Sequence, residues 1–340
     1  MRVLDKQYAN PAHLASRLGD PPVHAPADHR LTSIQPVCSF RSPTGFISLI
    51  DESGVSPFKI RVAQTYPKLG DLSGNFAAIR TATEKAASEG ADLIVFPELS
   101  LTGYHLRDMV PSVALAEDHP VFASLAELSR EIAIVIGYVE ESPDFQYYNA
   151  SAFLDGGSVV KVHRKVYLPT YGMFEEQRYF SAGRRIEAFD TRFGRMGLLI
   201  CEDALHPINP FILALDGAET IIILSASPGR GFGDADRPDN TVRWEEAIHT
   251  YSRIFTTTFI FANRVGYEDG VSFWGGSRVI APDGTLLARA EYFEEGSIEA
   301  EPRREMLRRA RIANPFIRDS RLDVTLSELQ RIWDERSLHQ

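Results

Sequence analysis

The segment Met196-Gly197-Leu198-Leu199-Ile200-Cys201-Glu202-Asp203 is an apolar run that ends in a thiol and two carboxyl groups. The apolar part predicts a buried strand, and the polar pair after it predicts a turn where that strand ends. A turn from a strand into a helix can present a nucleophile at the edge of a sheet, with backbone N–H groups directed at the reacting atom. The alternative interpretation is an inert core cysteine, because free cysteine is among the most buried residue types.

Strand-like and helix-like segments alternate on both sides of this stretch. Residues 59–64 alternate like a strand, residues 71–89 show helical spacing, and residues 91–96 form a short apolar run. The sequences Asp155-Gly156-Gly157 and Pro282-Asp283-Gly284 predict hairpin turns. Because β-α-β units are mixed with hairpins, we predict an α/β fold with mixed sheets and helices on their outer faces.

Composition divides the chain into three parts. Residues 1–57 are rich in Pro, Ser, Asp and His and have too little apolar sequence to build a core, so we interpret them as an N-terminal arm. Residues 58–300 contain no Gly/Ser linker, and we predict that they form one domain. Residues 301–340 are predicted to be an Arg-rich helical tail that contacts another subunit.

Charge and composition argue against several classes of function. The net charge of −10 disfavours binding to nucleic acid or to an anionic membrane surface. No apolar run approaches the roughly 20 residues that span a bilayer, and the N-terminus lacks the apolar part of a secretory signal, so we expect a cytoplasmic protein. The chain has two cysteines, and its nine histidines form no HExxH or HxH group, so we expect no disulfide framework, no metal site and no cofactor.

A nucleophilic Cys201 must be activated, because a free thiol with a pKa of about 8.5 is mostly protonated at neutral pH. A neighbouring base or cation would favour the thiolate. His163 and His206 could form a Cys–His dyad with it. Alternatively, Glu98 could take the thiol proton and Lys165 could stabilise the oxyanion, since each lies just beyond a strand-like segment. Each of these residues alone is more typical of a solvated charge, but their joint occurrence at strand ends favours an active site.

Three segments together resemble the nitrilase superfamily of carbon–nitrogen hydrolases: FPELSLTGY at 96–104, HRKVYLPTYGMFEEQRYF at 163–180 and LLICEDALHP at 198–207. The resemblance implies a four-layer α-β-β-α sandwich with two mixed sheets, assembled as a homodimer or a higher homo-oligomer. It also implies that Glu98 takes the proton from Cys201 and that Lys165 stabilises the tetrahedral oxyanion with the backbone N–H of Glu202. The second family glutamate maps to Glu176, which would position the substrate or the hydrolytic water.

The residues after the cysteine favour an amide over a nitrile as substrate. Branches of the superfamily that cleave nitriles usually carry Trp and then Glu directly after the cysteine, whereas this sequence has Glu202-Asp203. The three segments are most similar to the glutamine-hydrolysing domain of glutamine-dependent NAD synthetases. That similarity implies a set of substrate-binding residues: Tyr104, Tyr171, Phe174, Glu202, Ser225 and Ser227.

The leading hypothesis is a cysteine-dependent amidohydrolase that cleaves a small amide to acid and ammonia through a thioester intermediate. The 340 residues contain no SGGxDS-type pyrophosphate loop, so we expect either a free-standing amidase, which we favour, or a glutaminase subunit that supplies ammonia to a separate synthetase. An N-carbamoyl amide hydrolase is an alternative in which Arg178, Arg230 or Arg243 binds the substrate carboxylate. The non-enzymatic alternative is a catalytically silent scaffold of the same fold.

Residues 229–240 are rich in Gly, Pro and Asp, and we predict that they form a mobile lid.

Overall fold

The computed structural model describes residues 57–230 and 238–337. The predicted N-terminal arm lies outside the described residues except at its last position, and most of the predicted lid, 231–237, also lies outside them. The strands of the described part are β1 (Ile60–Gln64), β2 (Leu93–Val95), β3 (Ala133–Glu141), β4 (Tyr147–Asp155), β5 (Ser158–Arg164), β6 (Phe189–Thr191), β7 (Gly194–Ile200), β8 (Thr220–Ser225), β9 (Thr258–Asn263), β10 (Val265–Glu268), β11 (Val271–Trp274), β12 (Arg278–Ile280), β13 (Leu286–Arg289) and β14 (Gly296–Ala300). Its helices are α1 (Leu72–Ser88), α2 (Val110–Val113), α3 (Pro120–Leu128), α4 (Glu176–Tyr179), α5 (Glu202–Leu205), α6 (Ile208–Leu215), α7 (Asp239–Phe255), α8 (Arg304–Ala313), α9 (Phe316–Asp319) and α10 (Leu322–Ser337).

The strands form two six-stranded mixed sheets and a separate β10–β11 hairpin. The first sheet has the order β14-β1-β2-β3-β4-β5, and the second has the order β6-β7-β8-β9-β12-β13. In each sheet the second, third and fourth strands run parallel, and the remaining neighbours pair antiparallel. The two sheets therefore share one pattern of directions, in which β-α-β units supply the centre and antiparallel strands supply both flanks.

An apolar layer between the two sheets forms the centre of the fold. Val62 and Val95 from the first sheet pack in one buried cluster with Leu198, Ile222 and Ile260 from the second. Alternate side chains of the same strands point the other way, as the pleat of a strand requires. These outward side chains pack under helices, so the layers run helix, sheet, sheet, helix.

Helices cover the outer face of each sheet. Ile79 of α1 and Leu125 of α3 pack with outward side chains of the first sheet. Leu213 of α6 and Ile248 of α7 pack in the same way on the second sheet. The predicted four-layer α-β-β-α sandwich is thereby confirmed.

The helices after the sandwich differ in how they pack. In α8, Leu307 and Ala310 are buried. In α10 no residue is buried, and large apolar side chains such as Leu326 and Trp333 are 59% and 70% exposed. That this tail contacts another subunit stays a prediction. Within residues 57–230 and 238–337, no helix has both the length and the apolar character to cross a membrane.

Truncating a side chain in the layer between the sheets should destabilise the protein strongly. Ile222 is 0% exposed, so Ile222→Ala should lower the free energy of unfolding by about 2–5 kcal/mol because it leaves a cavity between two sheets. Ile312 is 66% exposed, and Ile312→Ala should change it by less than about 0.5 kcal/mol. Urea denaturation followed by circular dichroism measures both values, and equal losses would contradict this assignment of the core.

Candidate active site

Cys201 lies in the turn between β7 and α5. Its backbone has φ +45° and ψ −104°, a conformation that residues other than glycine rarely adopt, and its N–H donates to Leu224 O at 2.8 Å. This strained backbone presents the thiol where the strand ends, as the sequence predicts for a nucleophile turn. Cys201 is 7% exposed, and Ser225 Oγ lies 3.5 Å from its sulfur.

Glu98 is fully buried in the turn that follows β2. Its Oε1 accepts hydrogen bonds from Lys165 Nζ at 2.8 Å and from Asn149 Nδ2 at 2.7 Å. Its Oε2 accepts one from the backbone N–H of Ala226 at 2.7 Å. Asn149 is a residue that sequence reasoning missed, although a buried asparagine in the apolar strand β4 is itself a signal. The carboxylate is therefore held by Asn149 of the first sheet and by Ala226, which follows β8 of the second sheet.

Lys165 is fully buried just after β5 and joins two carboxylates. Its Nζ donates to Glu98 Oε1 at 2.8 Å and to Glu176 Oε1 at 2.7 Å. Tyr104 also donates its hydroxyl hydrogen to that Glu176 oxygen. Burial by itself lowers the pKa of Lys165, but the charges of Glu176 and Glu98 outweigh it and hold the pKa well above its usual range. The side chain is therefore a permanent cation at neutral pH.

The thiol and the second carboxyl group have shifted pKa values as well. Burial raises the pKa of the Cys201 thiol well above its usual range, and the nearby Glu98 carboxylate raises it further, against the effect of Lys165. Burial also raises the pKa of Glu176 to about 7, although the Lys165 ammonium opposes that rise. A resting thiol of this kind is neutral and needs a base to become a nucleophile. Transfer of its proton to Glu98 would leave the net charge of the site unchanged, which limits the cost of the step in a buried environment.

The two histidines considered as bases are engaged elsewhere. His163 Nε2 lies 2.9 Å from Asp203 Oδ2, and the ring of His206 stacks on Tyr167 with centroids 3.8 Å apart. Among the described residues, the hydrogen bond to Cys201 Sγ comes from Ser225 rather than from an imidazole. The charges that act on the Cys201 thiol are thus those of Glu98 and Lys165, and no imidazole of the described residues bonds its sulfur.

Aromatic and charged side chains cluster around Tyr171, which is 44% exposed and interacts electrostatically with Cys201, and we call this cluster the opening of the site. Tyr171 donates its hydroxyl hydrogen to Glu202 Oε2 at 2.7 Å, and burial raises the pKa of this phenol to about 12. Phe174 packs edge-on against Tyr171 and Tyr104, with centroids 5.5 and 6.2 Å apart. The Arg230 guanidinium lies over both Phe174 and Tyr171, at 4.5 and 5.2 Å from the ring centroids. A carboxylate and a guanidinium therefore both contact Tyr171.

The two serines of the predicted substrate-binding set are buried. Ser225 lies beside the Cys201 sulfur. Ser227 is also buried, and its N–H donates to Asn263 Oδ1 at 2.9 Å. Asn263 is a second residue that sequence reasoning missed. In the part of the chain that the structure describes, no group of three or more His, Cys, Asp or Glu side chains is arranged to hold a metal ion.

Of the three arginines proposed to bind a carboxylate, one lies at the opening. Arg230 has its Nη2 buried without a hydrogen-bond partner among the described residues. Arg178 is exposed and lies near the ring of Tyr179 at 5.5 Å, and Arg243 is exposed on α7. Sequence alone gave no means of choosing among them.

Comparisons with known proteins show which family the chain resembles. A family model for carbon–nitrogen hydrolases matches residues 59–312. The glutamine-dependent NAD(+) synthetase of Acinetobacter baylyi is 32% identical over 239 residues, which cover 70% of this chain and 43% of that protein. The N-carbamoylputrescine amidase of Arabidopsis thaliana is 26% identical over 272 residues, which cover 75% of this chain and 89% of that protein.

Solved structures share the architecture. A carbon–nitrogen hydrolase from Helicobacter pylori G27 superposes with a TM-score of 0.71 at 26% identity, covering 81% of this chain and 99% of that chain. An NAD+ synthetase from Acinetobacter baumannii superposes with a TM-score of 0.67 at 29% identity, covering 74% of this chain and 47% of that chain. The chain thus spans less than half the length of the synthetases that it matches.

The raised pKa of Glu176 should appear as a pH dependence of stability. Its ordinary value is 4.5 and its folded value is about 7, so the folded state binds this proton more tightly. The resulting stabilisation is complete below about pH 4.5 and is lost as the pH rises through about 7. Between about pH 5 and about pH 8, the unfolding free energy of the wild type should therefore fall relative to that of Glu176→Gln, by about 1 kcal/mol or more.

Urea denaturation at several pH values measures this difference. The neighbouring Glu175 is exposed, so Glu175→Gln is the matched control and should run parallel to the wild type. Parallel curves for Glu176→Gln and the wild type would show that the Glu176 pKa is not raised.

Proposed function

The chain belongs to the carbon–nitrogen hydrolase family and is a hydrolase of carbon–nitrogen bonds; from this premise we propose that it cleaves a small amide to an acid and ammonia, with Cys201 as nucleophile. The resemblance to the nitrilase superfamily is confirmed by the family match over residues 59–312. The observation that carries the proposal is the buried Lys165 ammonium, held between Glu98 and Glu176 in the electrostatic reach of the Cys201 thiol.

In the first half of the reaction, Glu98 takes the proton from Cys201 and the sulfur attacks the amide carbon. The oxygen of the tetrahedral intermediate becomes negatively charged, and the Lys165 ammonium and the backbone N–H of Glu202 stabilise it. Glu202 is the first residue of α5, where N–H groups have no partner within the helix. Glu98 then gives its proton to the leaving nitrogen, the C–N bond breaks, and ammonia departs from a thioester on Cys201.

In the second half, water replaces ammonia. Glu98 takes a proton from the water as the water oxygen attacks the thioester carbon. The C–S bond then breaks, the acid is released, and the sulfur takes the proton back from Glu98 to restore the thiol. Glu176 supports this step because its Oε2 is buried without a hydrogen-bond partner among the described residues, which leaves it free to orient the water. Its Oε1 is already bound by Lys165 and Tyr104.

The charges at the opening favour an amino-acid ω-amide such as glutamine. The Glu202 carboxylate suits an α-ammonium group, and the Arg230 guanidinium suits an α-carboxylate. An N-carbamoyl amino acid would also offer a carboxylate to Arg230, but its nitrogen is acylated and carries no charge for Glu202. The glutamine-dependent relatives support the same choice. A glutaminase subunit would use this chemistry too and would differ in where its ammonia goes.

Removing the nucleophile or the base should abolish most of the activity. We expect Cys201→Ala to lower kcat for ammonia release by about 10³-fold or more, because no thioester can form. Glu98→Gln should lower it by about 10²-fold or more, since no other group takes the thiol proton. A coupled ammonia assay over a panel of amides measures both. Full activity of Cys201→Ala would refute the mechanism, and an inactive wild type would favour the non-enzymatic scaffold.

Substitutions at the opening should discriminate between substrates. Arg230→Gln and Glu202→Gln should each raise KM for L-glutamine by about tenfold or more, because a charge-assisted hydrogen bond to the substrate is lost. Neither should change KM for propionamide, which has no charged end, by more than about twofold. Arg185→Gln is the control, since its side chain is 81% exposed and pairs with Glu187. Equal effects on both amides would contradict the assignment, and carbon dioxide release would indicate a carbamoyl substrate.

A further inference from the structure

We propose that Asp203 is a positioning residue that holds Lys165 and Cys201 in reacting geometry, although it touches neither the substrate nor the thiol. The proposal rests on the proposed function, which makes those two residues the oxyanion partner and the nucleophile. The Asp203 side chain is fully buried directly behind the nucleophile turn, and the proposed reaction gives it no chemical step.

One carboxylate oxygen of Asp203 binds the segment that follows Lys165. Oδ1 accepts the backbone N–H of Val166 at 3.0 Å and that of Tyr167 at 2.9 Å. These are the first two residues after the catalytic ammonium. They follow β5, which is the edge strand of the first sheet.

The other oxygen binds the segments that precede both catalytic residues. Oδ2 accepts the backbone N–H of Ile200 at 3.1 Å, one residue before Cys201. It also pairs with Nε2 of the buried His163 at 2.9 Å, two residues before Lys165. Because an ionised carboxylate has no hydrogen to give, His163 is the donor in this pair.

A single carboxylate therefore connects the two sheets at the active-site edge. Lys165 follows β5 of the first sheet and Cys201 follows β7 of the second, and Asp203 lies 37 residues beyond Val166 in the chain. The backbone of Asp203 is itself fixed by Asn209 Nδ2, which donates to Asp203 O at 2.7 Å. The connection runs from α6 through Asp203 to the loop that carries Lys165.

The chemistry of this position calls for a carboxylate. Four hydrogens converge on two oxygens, and an ionised carboxylate offers about four acceptor sites and no donor. In Asp203→Asn, an NH₂ group would replace one oxygen and would face either two backbone N–H groups or Ile200 and His163. In the first orientation both backbone bonds are lost. In the second the Ile200 bond is lost, and the His163 contact persists only if the imidazole moves its hydrogen to Nδ1 and accepts from the NH₂ group. The volume is almost unchanged in both. A small displacement of Lys165 relative to Cys201 then follows, and catalysis is sensitive to about 1 Å of such displacement.

The test compares Asp203→Asn with Asp216→Asn, a remote carboxylate that also accepts a backbone N–H, that of Ala188 at 2.7 Å. Both are made in a Cys38→Ser background, so that iodoacetamide has Cys201 as its one thiol target. We expect Asp203→Asn to lower kcat for glutamine by about 10²-fold with KM changed less than about threefold, and to slow alkylation of Cys201. Asp216→Asn should match the parent in both. A folded Asp203→Asn protein with the parent's kcat and alkylation rate would overturn the proposal.

Substitutions of His163 give a second test, which does not depend on whether Asp203→Asn folds. Gln can donate to Asp203 Oδ2 and Leu cannot, so kcat and the alkylation rate of His163→Gln should exceed those of His163→Leu. Equal values for the two variants would overturn the proposal. The alkylation rate needs no substrate turnover. A wild type that releases no ammonia, yet alkylates faster than Asp203→Asn, would refute the proposed function and still support the role of Asp203.

Discussion

One buried ammonium group organises this protein. Lys165 has no exposed surface, and an isolated charge in such a place would be very costly. Two carboxylates, Glu98 and Glu176, make its burial possible because they balance its charge. The Lys165 ammonium in turn compensates for the burial of each carboxylate. The three side chains come from separate segments of the chain, so the ion cluster forms when both β-α-β and hairpin parts of the first sheet are in place. The charges of this cluster act on the thiol of Cys201.

The direction of the strands explains why these segments meet. β2 and β3 are parallel, and β5 runs in the same direction because two antiparallel pairings separate it from β3. The ends of β2 and β5 therefore lie at one edge of the first sheet, where Glu98 and Lys165 follow them. In the second sheet, β7 and β8 are also parallel, and Cys201 and Ser225 lie at their ends. Packing the two sheets face to face brings both edges together.

The buried and the partly buried groups of the site have different roles. The interior holds groups whose pKa values burial raises, the Cys201 thiol and the Glu176 carboxyl. The opening holds Glu202 and Arg230, which are only partly buried and suit recognition of a charged substrate end. Asp203 belongs to neither group in our proposal, because it acts on the backbone that carries the reacting residues.

The sequence by itself determined the layers of the fold and the positions of the reacting residues along the chain. An apolar run such as 91–96 or 196–200 is a local property, and it predicts both a strand and the place where that strand ends. Glu98, Lys165 and Cys201 were therefore identifiable as strand-end residues. Only the tertiary structure decided their partners: that His163 bonds Asp203, that Asn149 bonds Glu98, and that Arg230 rather than Arg178 lies at the opening. These contacts join residues tens of positions apart, and the register and packing of two sheets, which no local pattern encodes, bring them within hydrogen-bonding distance.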